Sequence, residues 1–349
     1  MMDGSGPPLE VYELDDAGVT AWDDFVHECP KATFFHLSGW RTVIERGFGH
    51  RCHFLVAASH GIIRGVLPLV HVKSALFGNS LISNGFCVYG GPVVTDKAAG
   101  AALDSAATRL AEHLGVNHLE YRLRRPAHGD WACNPDLYVT FRKTIDPDPD
   151  KNLAAIPRKQ RAMVRKGIKA GLRGEVDDGI ERLYRVYAES VRNLGTPVFA
   201  RKYFRHLKET FGPACEVLTI THEGRPVASV MSFVFRDEIL PYYGGGTIHA
   251  RQVAGNDFMY WEVMRRACER GLGVFDFGRS KRGTGAFAFK KHWGFEATPL
   301  YYEYKLVRGT EVPEVNPTNP KYQLYIACWK RLPLPVANLI GPPIARALG

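Results

Sequence analysis

The sequence runs twice through one series of local patterns, and this constrains its fold more than any single motif. In the first half a β-like run at 53–59 meets the turn His60-Gly61 and a second run at 62–72. A strand pattern at 81–89, an Ala-rich helical stretch at 96–114 and a strand at 118–123 follow. The second half repeats the order: strand 216–221, turn Glu223-Gly224, strands 227–235 and 238–243, helix 256–270 and strand 273–277. Local wording repeats too, with Tyr89-Gly90-Gly91 against Tyr243-Gly244-Gly245 and Leu119-Glu120-Tyr121 against Phe275-Asp276-Phe277. The offsets of 163, 154 and 156 residues are near half the 349-residue length. Such a period reads as duplication of one unit; two α/β halves sharing the order by chance is the alternative. The expected fold class is α/β (α+β), two tandem domains, each a mixed, largely antiparallel sheet flanked by helices. Domains are expected at 1–145 and 151–310, with the acidic, Pro-punctuated 146–150 as linker and 311–349 as a basic and apolar C-terminal strap. Thr20 and Ser38 are read as N-caps of the first two helices.

Charge sharpens the picture. The net +9 is concentrated in three stretches without a single acid: eight Lys/Arg at 151–173, five at 278–292 and four at 321–349. The rest of the chain is therefore net acidic. This distribution suggests discrete sites for phosphate or acidic lipid, not a uniform nucleic-acid-coating surface. Seven scattered cysteines with no C-x-x-C pair, and no His/Cys cluster at zinc spacing, predict reduced thiols in the cytoplasm and no metal. The N-terminus lacks the basic and apolar regions of a signal peptide, and no apolar run reaches membrane-spanning length.

Two segments carry candidate chemistry. Residues 156–172 predict an amphipathic helix with Pro157 at its first position. One ridge holds Arg158, Arg161, Arg165, Lys169 and Arg173, beside an apolar stripe of Val164, Ile168 and Leu172. The ridge is either a solvated face or a phosphate-facing one. Residues 275–295 place a strand ending in Asp276 before a Gly/Ser/Thr loop with Arg279, Lys281 and Arg282, and then a short helix holding Phe289-Lys290-Lys291-His292. A basic, backbone-rich loop at a strand's C-terminal end suits an anion. A kinase reading of Asp276-Phe277-Gly278 fails for want of the accompanying kinase motifs.

The duplicated halves, the basic segment at 157–171 and the D-F-G-R-S…F-K-K-H-W-G-F ending resemble the FemAB-like branch of the GNAT acyltransferase superfamily, over about 34–305. The basic helix and the tail at 329–338 more closely resemble FemAB-related proteins of the PEP-CTERM/exosortase system in exopolysaccharide-producing bacteria. The resemblance implies two GNAT-like (BioF2-like acetyltransferase) domains and, from peptidoglycan members, transfer of an amino acid from aminoacyl-tRNA to an amine of a cell-envelope precursor. It places the family's aromatic-Lys motif on Phe289-Lys290, with Lys290 stabilising charge in acyl transfer. It puts Arg279 at a carboxylate or phosphate and Trp40 at a family tryptophan position, a core role being the alternative for Trp40. The GNAT pyrophosphate loop falls on Gln252, Gly255 and Asn256 as cofactor-binding residues. Asp257 stands where that loop wants a small residue and would bring negative charge to a phosphate.

The expectation is thus a cytoplasmic N-acyltransferase, at the inner face of the membrane if the strap meets it. Its donor is aminoacyl-tRNA or acyl-CoA, with no tightly bound cofactor, and its acceptor is an amine of an anionic or lipid-linked precursor. The expected catalytic residues are Lys290 and Asp276, the latter as base, with Asp257, Glu120 and His292 as further titratable candidates. Substrate contacts are expected from Arg279, Phe289, Tyr242, Tyr243, Arg158, Arg161, Arg165 and Trp40. An acyl-CoA-dependent N-acetyltransferase acting on an amino sugar or protein amine is the alternative of the same class. A non-catalytic module binding a precursor or nucleic acid is the alternative of another.

Overall fold

A computed structural model describes residues 9–74, 78–312 and 320–348. Residues 313–319 and 349 of the expected strap, and the N-terminal residues 1–8, lie outside them. The chain opens with β1 (Glu10–Glu13), α1 (Val19–Glu28) and α2 (Gly39–Phe48). It continues through β2 (Arg51–Ser59), β3 (Ile62–Ser74), β4 (Gly78–Ser83), β5 (Val93–Val94), α3 (Lys97–Leu114), β6 (His118–Leu123) and β7 (Ala132–Cys133). Then come β8 (Tyr138–Thr144), α4 (Pro149–Ala155), α5 (Arg158–Lys169), β9 (Arg173–Asp177), α6 (Glu181–Leu194) and α7 (Arg201–Phe211). The series β10 (Cys215–His222), β11 (Arg225–Phe235), β12 (Glu238–Gly246), α8 (Ile248–Val253), α9 (Gly255–Glu269) and β13 (Val274–Lys281) repeats the first half's order. The chain closes with α10 (Gly285–His292), β14 (Ala297–Pro299), β15 (Tyr301–Leu306), α11 (Pro320–Trp329) and α12 (Leu334–Ala345).

These elements form two compact units. The first has the sheet order β1-β2-β3-β4-β6-β15-β7, with β5 beside β3; the second has β14-β8-β13-β12-β11-β10-β9. Both are antiparallel but for one parallel pair each, β4 with β6 and β12 with β13. The expected fold class is thus the one observed.

Where the units divide differs from the sequence reading. The first comprises Met1–Pro135, Leu300–Glu314 and Ala347–Gly349, and the second Asp136–Pro299 and Val315–Arg346. β8 sits between β13 and β14 in the second sheet, and β15 between β6 and β7 in the first. The first sheet is therefore completed by a strand distant in sequence from the rest of its unit, and β8 opens the second unit but pairs with β13 and β14 at its far end. The 146–150 segment is no linker: Pro149 opens α4, and the Asp148 carboxylate accepts the Asp150 N–H at 2.9 Å.

Local corrections have local causes. α1 begins at Val19, which puts Thr20 inside the helix; Ser38 flanks α2 but spends its hydroxyl on Asp23 at 2.8 Å. The strand expected at 81–89 stops at Ser83, because Asn84 and Phe86 take positive φ. The basic helix ends at Lys169, so Arg173 leaves the ridge and opens β9. Its buried face is Gln160, Val164 and Gly167, while Ile168 is 49% exposed. Gly167 permits that packing: a Cβ there would lie 2.7 Å from Phe258 Cβ on α9.

The first unit's core holds Leu67, Leu69, Leu81, Leu103 and Tyr121 beneath α3. The second unit's larger core packs α5 and α9 onto one sheet face through Val164, Phe258, Met259, Trp261, Phe275, Phe277 and Trp293. Removing such side chains from water is the main favourable contribution to folding, worth about 1.5–3 kcal/mol for each fully buried large apolar residue.

Candidate active site

The parallel pair β12–β13 is only two residues long, Glu238 opposite Val274 and Ile239 opposite Phe275, and then the strands part. Irregularities flank the parting. On β12, Met231 faces Tyr243 while Ser232 faces Pro241, so Tyr242 is the extra residue of a bulge against β11. On β13 the register against β8 jumps between Asp276 and Arg279, so that Phe277 and Gly278 together stand against the single residue Phe141. Bulges bend a strand and re-aim the residues beyond them. Gly278 adopts φ +66°, which favours glycine, and a Cβ there would meet Leu240 Cδ1 at 3.5 Å. The wedge thus opens beyond Ile239, between two strands steered to different neighbours.

Lys290 reaches this bulge from α10. Its ammonium donates to the carbonyls of Gly278 and Arg279, each at 3.0 Å, and lies 5.9 Å over the Phe141 ring. Desolvation lowers its pKa to about 7, against the attraction of Asp276 and with the repulsion of Arg279. Two of its three donor hydrogens are thereby engaged, and one remains.

Asp276 does not suit the base role expected of it. It is fully buried, and one carboxylate oxygen accepts the Gly278 N–H at 2.7 Å and the Thr140 hydroxyl at 3.1 Å. The bulge folds this side chain back onto its own backbone. Neighbouring Glu238, held by Arg142, has its pKa raised, mainly by desolvation. Arg279 stacks its guanidinium 4.7 Å over the Tyr138 ring.

The remaining candidates separate. Phe289 packs against Tyr260, Phe277 and Trp293 beside the parting. Tyr242 leans on Phe233 and Tyr243. Tyr243 is buried with its hydroxyl 2.8 Å from that of Tyr203, and burial drives its pKa well up. Gln252 lies near the end of α8 with its side chain on His249 at 2.9 Å. Ala254, in the left-handed region, turns the chain into α9 at Gly255 and Asn256. Asp257 turns inward, accepting a hydrogen bond from Gln160, and desolvation raises its pKa. The carboxylate expected to face this turn is therefore engaged with α5 instead.

Arg158 and Arg165 are exposed on α5, and Arg161 donates to the Ala154 carbonyl at 2.6 Å. His292 is exposed at the end of α10. Trp40 is wholly buried in the first unit and donates to the Phe34 carbonyl at 3.1 Å, so substrate contact is closed to it. Glu120 is buried there too, paired with Arg122 at 2.8 Å. Among the described residues, no group of three or more His, Cys, Asp or Glu is placed to hold a metal.

Tyr260 escaped the sequence reading. It lies on α9 against Phe277 and Phe289, and its hydroxyl would be 3.4 Å from a Cβ on Gly244. Burial raises its pKa to about 12, so it stays protonated. Its position four residues after Asn256, one helical turn into α9, was the available signal.

The first unit shows what a closed parting looks like. Beyond the β4–β6 pairing, which ends at Ile82 opposite Glu120, the chain's own 84–91 segment fills the gap. Gly90 donates to the Arg122 carbonyl at 2.8 Å, and Arg122 donates to the Cys87 carbonyl at 2.7 Å. At the β12–β13 parting it is Lys290 of α10 that reaches the strand edge instead.

A mixed sheet with one short, splayed parallel pair and a helix starting at its mouth defines a GNAT-like fold. Residues 158–291 match a family described as an acetyltransferase (GNAT) domain. Among solved structures, FemX is similar at 16% identity and TM-score 0.67, over 91% of this chain and all of that one. The C-terminal domain of a putative lysylphosphatidylglycerol synthetase from Agrobacterium fabrum is similar at 15% identity and TM-score 0.57, over 82% of this chain and 91% of that one. A tandem GNAT protein from the clavulanic acid biosynthesis pathway is similar at 15% identity and TM-score 0.54, over 87% and 100%. No curated protein matches the sequence. The fold is therefore the GNAT-like, FemAB-like one that the sequence resemblance implied.

Proposed function

We propose that the protein is an N-acyltransferase that moves an acyl or aminoacyl group from an activated donor to an amine of an anionic cell-envelope or exopolysaccharide precursor. The observation that carries this reading is the early end of the β12–β13 pairing, with Lys290 held at the bulge beside it. The acetyltransferase description of the family matched at 158–291 supports the reaction class. In the transfer step the acceptor nitrogen attacks the donor carbonyl, the bond to the leaving group breaks, and the amine proton goes to solvent or to the departing group. Negative charge gathers on the carbonyl oxygen meanwhile. Lys290, preorganised by two backbone carbonyls, supplies a cation there through its remaining hydrogen. Tyr260, protonated at the same opening, is the donor for the leaving group.

Either acyl-CoA or aminoacyl-tRNA brings phosphates, and the two donors would engage different cations and amides. The α8–α9 turn at Gln252, Gly255 and Asn256 favours acyl-CoA, now that Asp257 is accounted for. The exposed Arg158 and Arg165 favour a tRNA backbone. On that turn, and on the acetyltransferase description of the matched family, acyl-CoA is the donor we place first. The test is a transfer assay with acetyl-CoA and with charged tRNA on amino-sugar and peptide amines. Lys290→Ala should lower kcat about 10²-fold or more with the true donor. Unchanged transfer in that variant would remove Lys290 from the mechanism. Absence of transfer with either donor, despite tight binding of a precursor, would favour a binding module.

A further inference from the structure

α12 reverses the usual arrangement of a surface helix. Its small residues Ala337, Gly341 and Ala345 recur every four positions and are buried against the protein. A Cβ on Gly341 would stand 3.1 Å from the Val198 backbone nitrogen. The larger apolar side chains lie opposite: Leu339 is 77% exposed, Val336 40% and Ile340 39%. A helix that only covers a core would turn these residues inward. α12 carries no charged side chain, and α11 adds Leu324 at 71% exposure and Tyr325 at 39%. An apolar face of this kind, on an element with no polar side to offer water, marks a contact surface.

The surrounding charge selects the partner. Lys330 and Arg331 are exposed between α11 and α12, Arg346 is exposed at the end of α12, and 321–349 contains no acid. A second copy docking through the same face would bring like charges together. An anionic surface would be attracted. Pro342 and Pro343 fix the depth, because neither offers an N–H to the carbonyls of Asn338 and Leu339 four residues earlier. Backbone carbonyls left open are costly in hydrocarbon but are satisfied by water at headgroup level. No described helix is long and apolar enough to cross a membrane.

We propose that α11 and α12 form an interfacial anchor that lies in the plane of an anionic phospholipid bilayer, with Leu339 and Ile340 among the acyl chains and Lys330, Arg331 and Arg346 at the headgroups. This inference stands apart from the transfer reading. It is tested by co-sedimentation of the intact chain with phosphatidylglycerol–phosphatidylcholine vesicles and with pure phosphatidylcholine vesicles. The intact chain should partition at least tenfold more strongly onto the anionic vesicles. The double variant Leu339→Gln/Ile340→Gln should lose at least tenfold of that binding with an unchanged melting temperature, since both side chains are exposed. Lys330→Gln/Arg331→Gln should flatten the dependence on salt and on phosphatidylglycerol content. No binding by the intact chain, equal binding to both vesicle types, or binding unmoved by the Leu339/Ile340 changes would overturn the proposal. A vesicle-free dimer that the same double variant breaks, seen by analytical ultracentrifugation, would give the face to a second copy and overturn it equally.

Discussion

Lys290 faces two demands at once: its ammonium is desolvated beneath α10, yet two carbonyls of the β13 bulge hold it. The balance leaves its pKa at about 7, which makes the sign of its contribution measurable. If the cation stabilises the developing oxyanion, kcat should fall as pH rises through about 7, and Lys290→Arg should carry activity to higher pH than the parent. A rate that instead climbs through 7 and disappears in Lys290→Met would make the neutral amine a base. Linkage runs the other way. The folded chain releases this proton before the unfolded one does, so Lys290 adds stability as pH climbs from about 7 towards 10.5. Lys290 was singled out because Phe289-Lys290 resembles the aromatic-Lys motif of the FemAB-like family, a match made on adjacent residues. The burial of Asp276 was not legible in the sequence. Its carboxylate is consumed by a bulge that exists only because β8, 136 residues away for the Thr140–Asp276 pair, lies alongside.

At the level of elements, α5 shows how a helical pattern fixes existence more firmly than orientation. Charges at 158, 161 and 165 and apolar residues at 164, 168 and 172 predict a helix correctly. They also predict Ile168 in the interface, where Gly167 sits instead. A glycine contributes nothing to a hydrophobic pattern, yet it lets α5 and α9 approach until Phe258 fills the missing side chain's place. Gly167→Ala should therefore destabilise by about 1–3 kcal/mol through overpacking, outweighing the gain of about 1 kcal/mol in helix propensity. Ile168→Ala should stay within about 0.5 kcal/mol, as exposed substitutions do. Chemical denaturation of both variants checks the pair, and the reverse order would mean that the helix is rotated. The inverted α12 is the counterpart case. Its composition is plain in the sequence, but which face is free depends on the α6 side of the second unit.

Over the whole molecule, the first unit depends on a strand that arrives only after Asp136–Pro299 have been built into the second. Tyr302 on β15 donates to the Val88 carbonyl at 2.8 Å, and Glu303 accepts from the Ala127 N–H at 2.8 Å. Glu303 also meets His128 Nδ1 at 2.7 Å, while Asp104 of α3 meets His128 Nε2 at 3.1 Å. A chain ending at residue 299 should consequently lose the first unit's protection against limited proteolysis; equal protection would show that β6 and β7 close without β15. With a carboxylate on each ring nitrogen, His128 is an imidazolium whose pKa rises to about 9. Its contribution is complete below the ordinary 6.5 and is lost as pH rises through 9. His36 is the opposite case. Desolvated and accepting the Thr33 N–H at 3.1 Å, it has a pKa lowered to about 4, so its contribution holds above 6.5 and is lost as pH falls towards 4. Melting temperature against pH should then fall on the acid flank, while above pH 7 the loss from His128 opposes the gain from Lys290; His128→Gln should make the alkaline side rise relative to the parent and leave the acid fall in place.

The amino-acid sequence by itself determined the order of helices and strands and the three basic stretches, because each is written in residues close together in the chain. Only the tertiary structure decided which sheet β8 and β15 complete, that Asp257 and Asp276 turn inward, that Tyr243 is buried while Tyr260 meets the parting, and that the 84–91 segment is tied to Arg122 in the first unit. Those outcomes depend on which surfaces lose water together. Local propensity carries no record of that, because the partners lie tens to hundreds of residues apart.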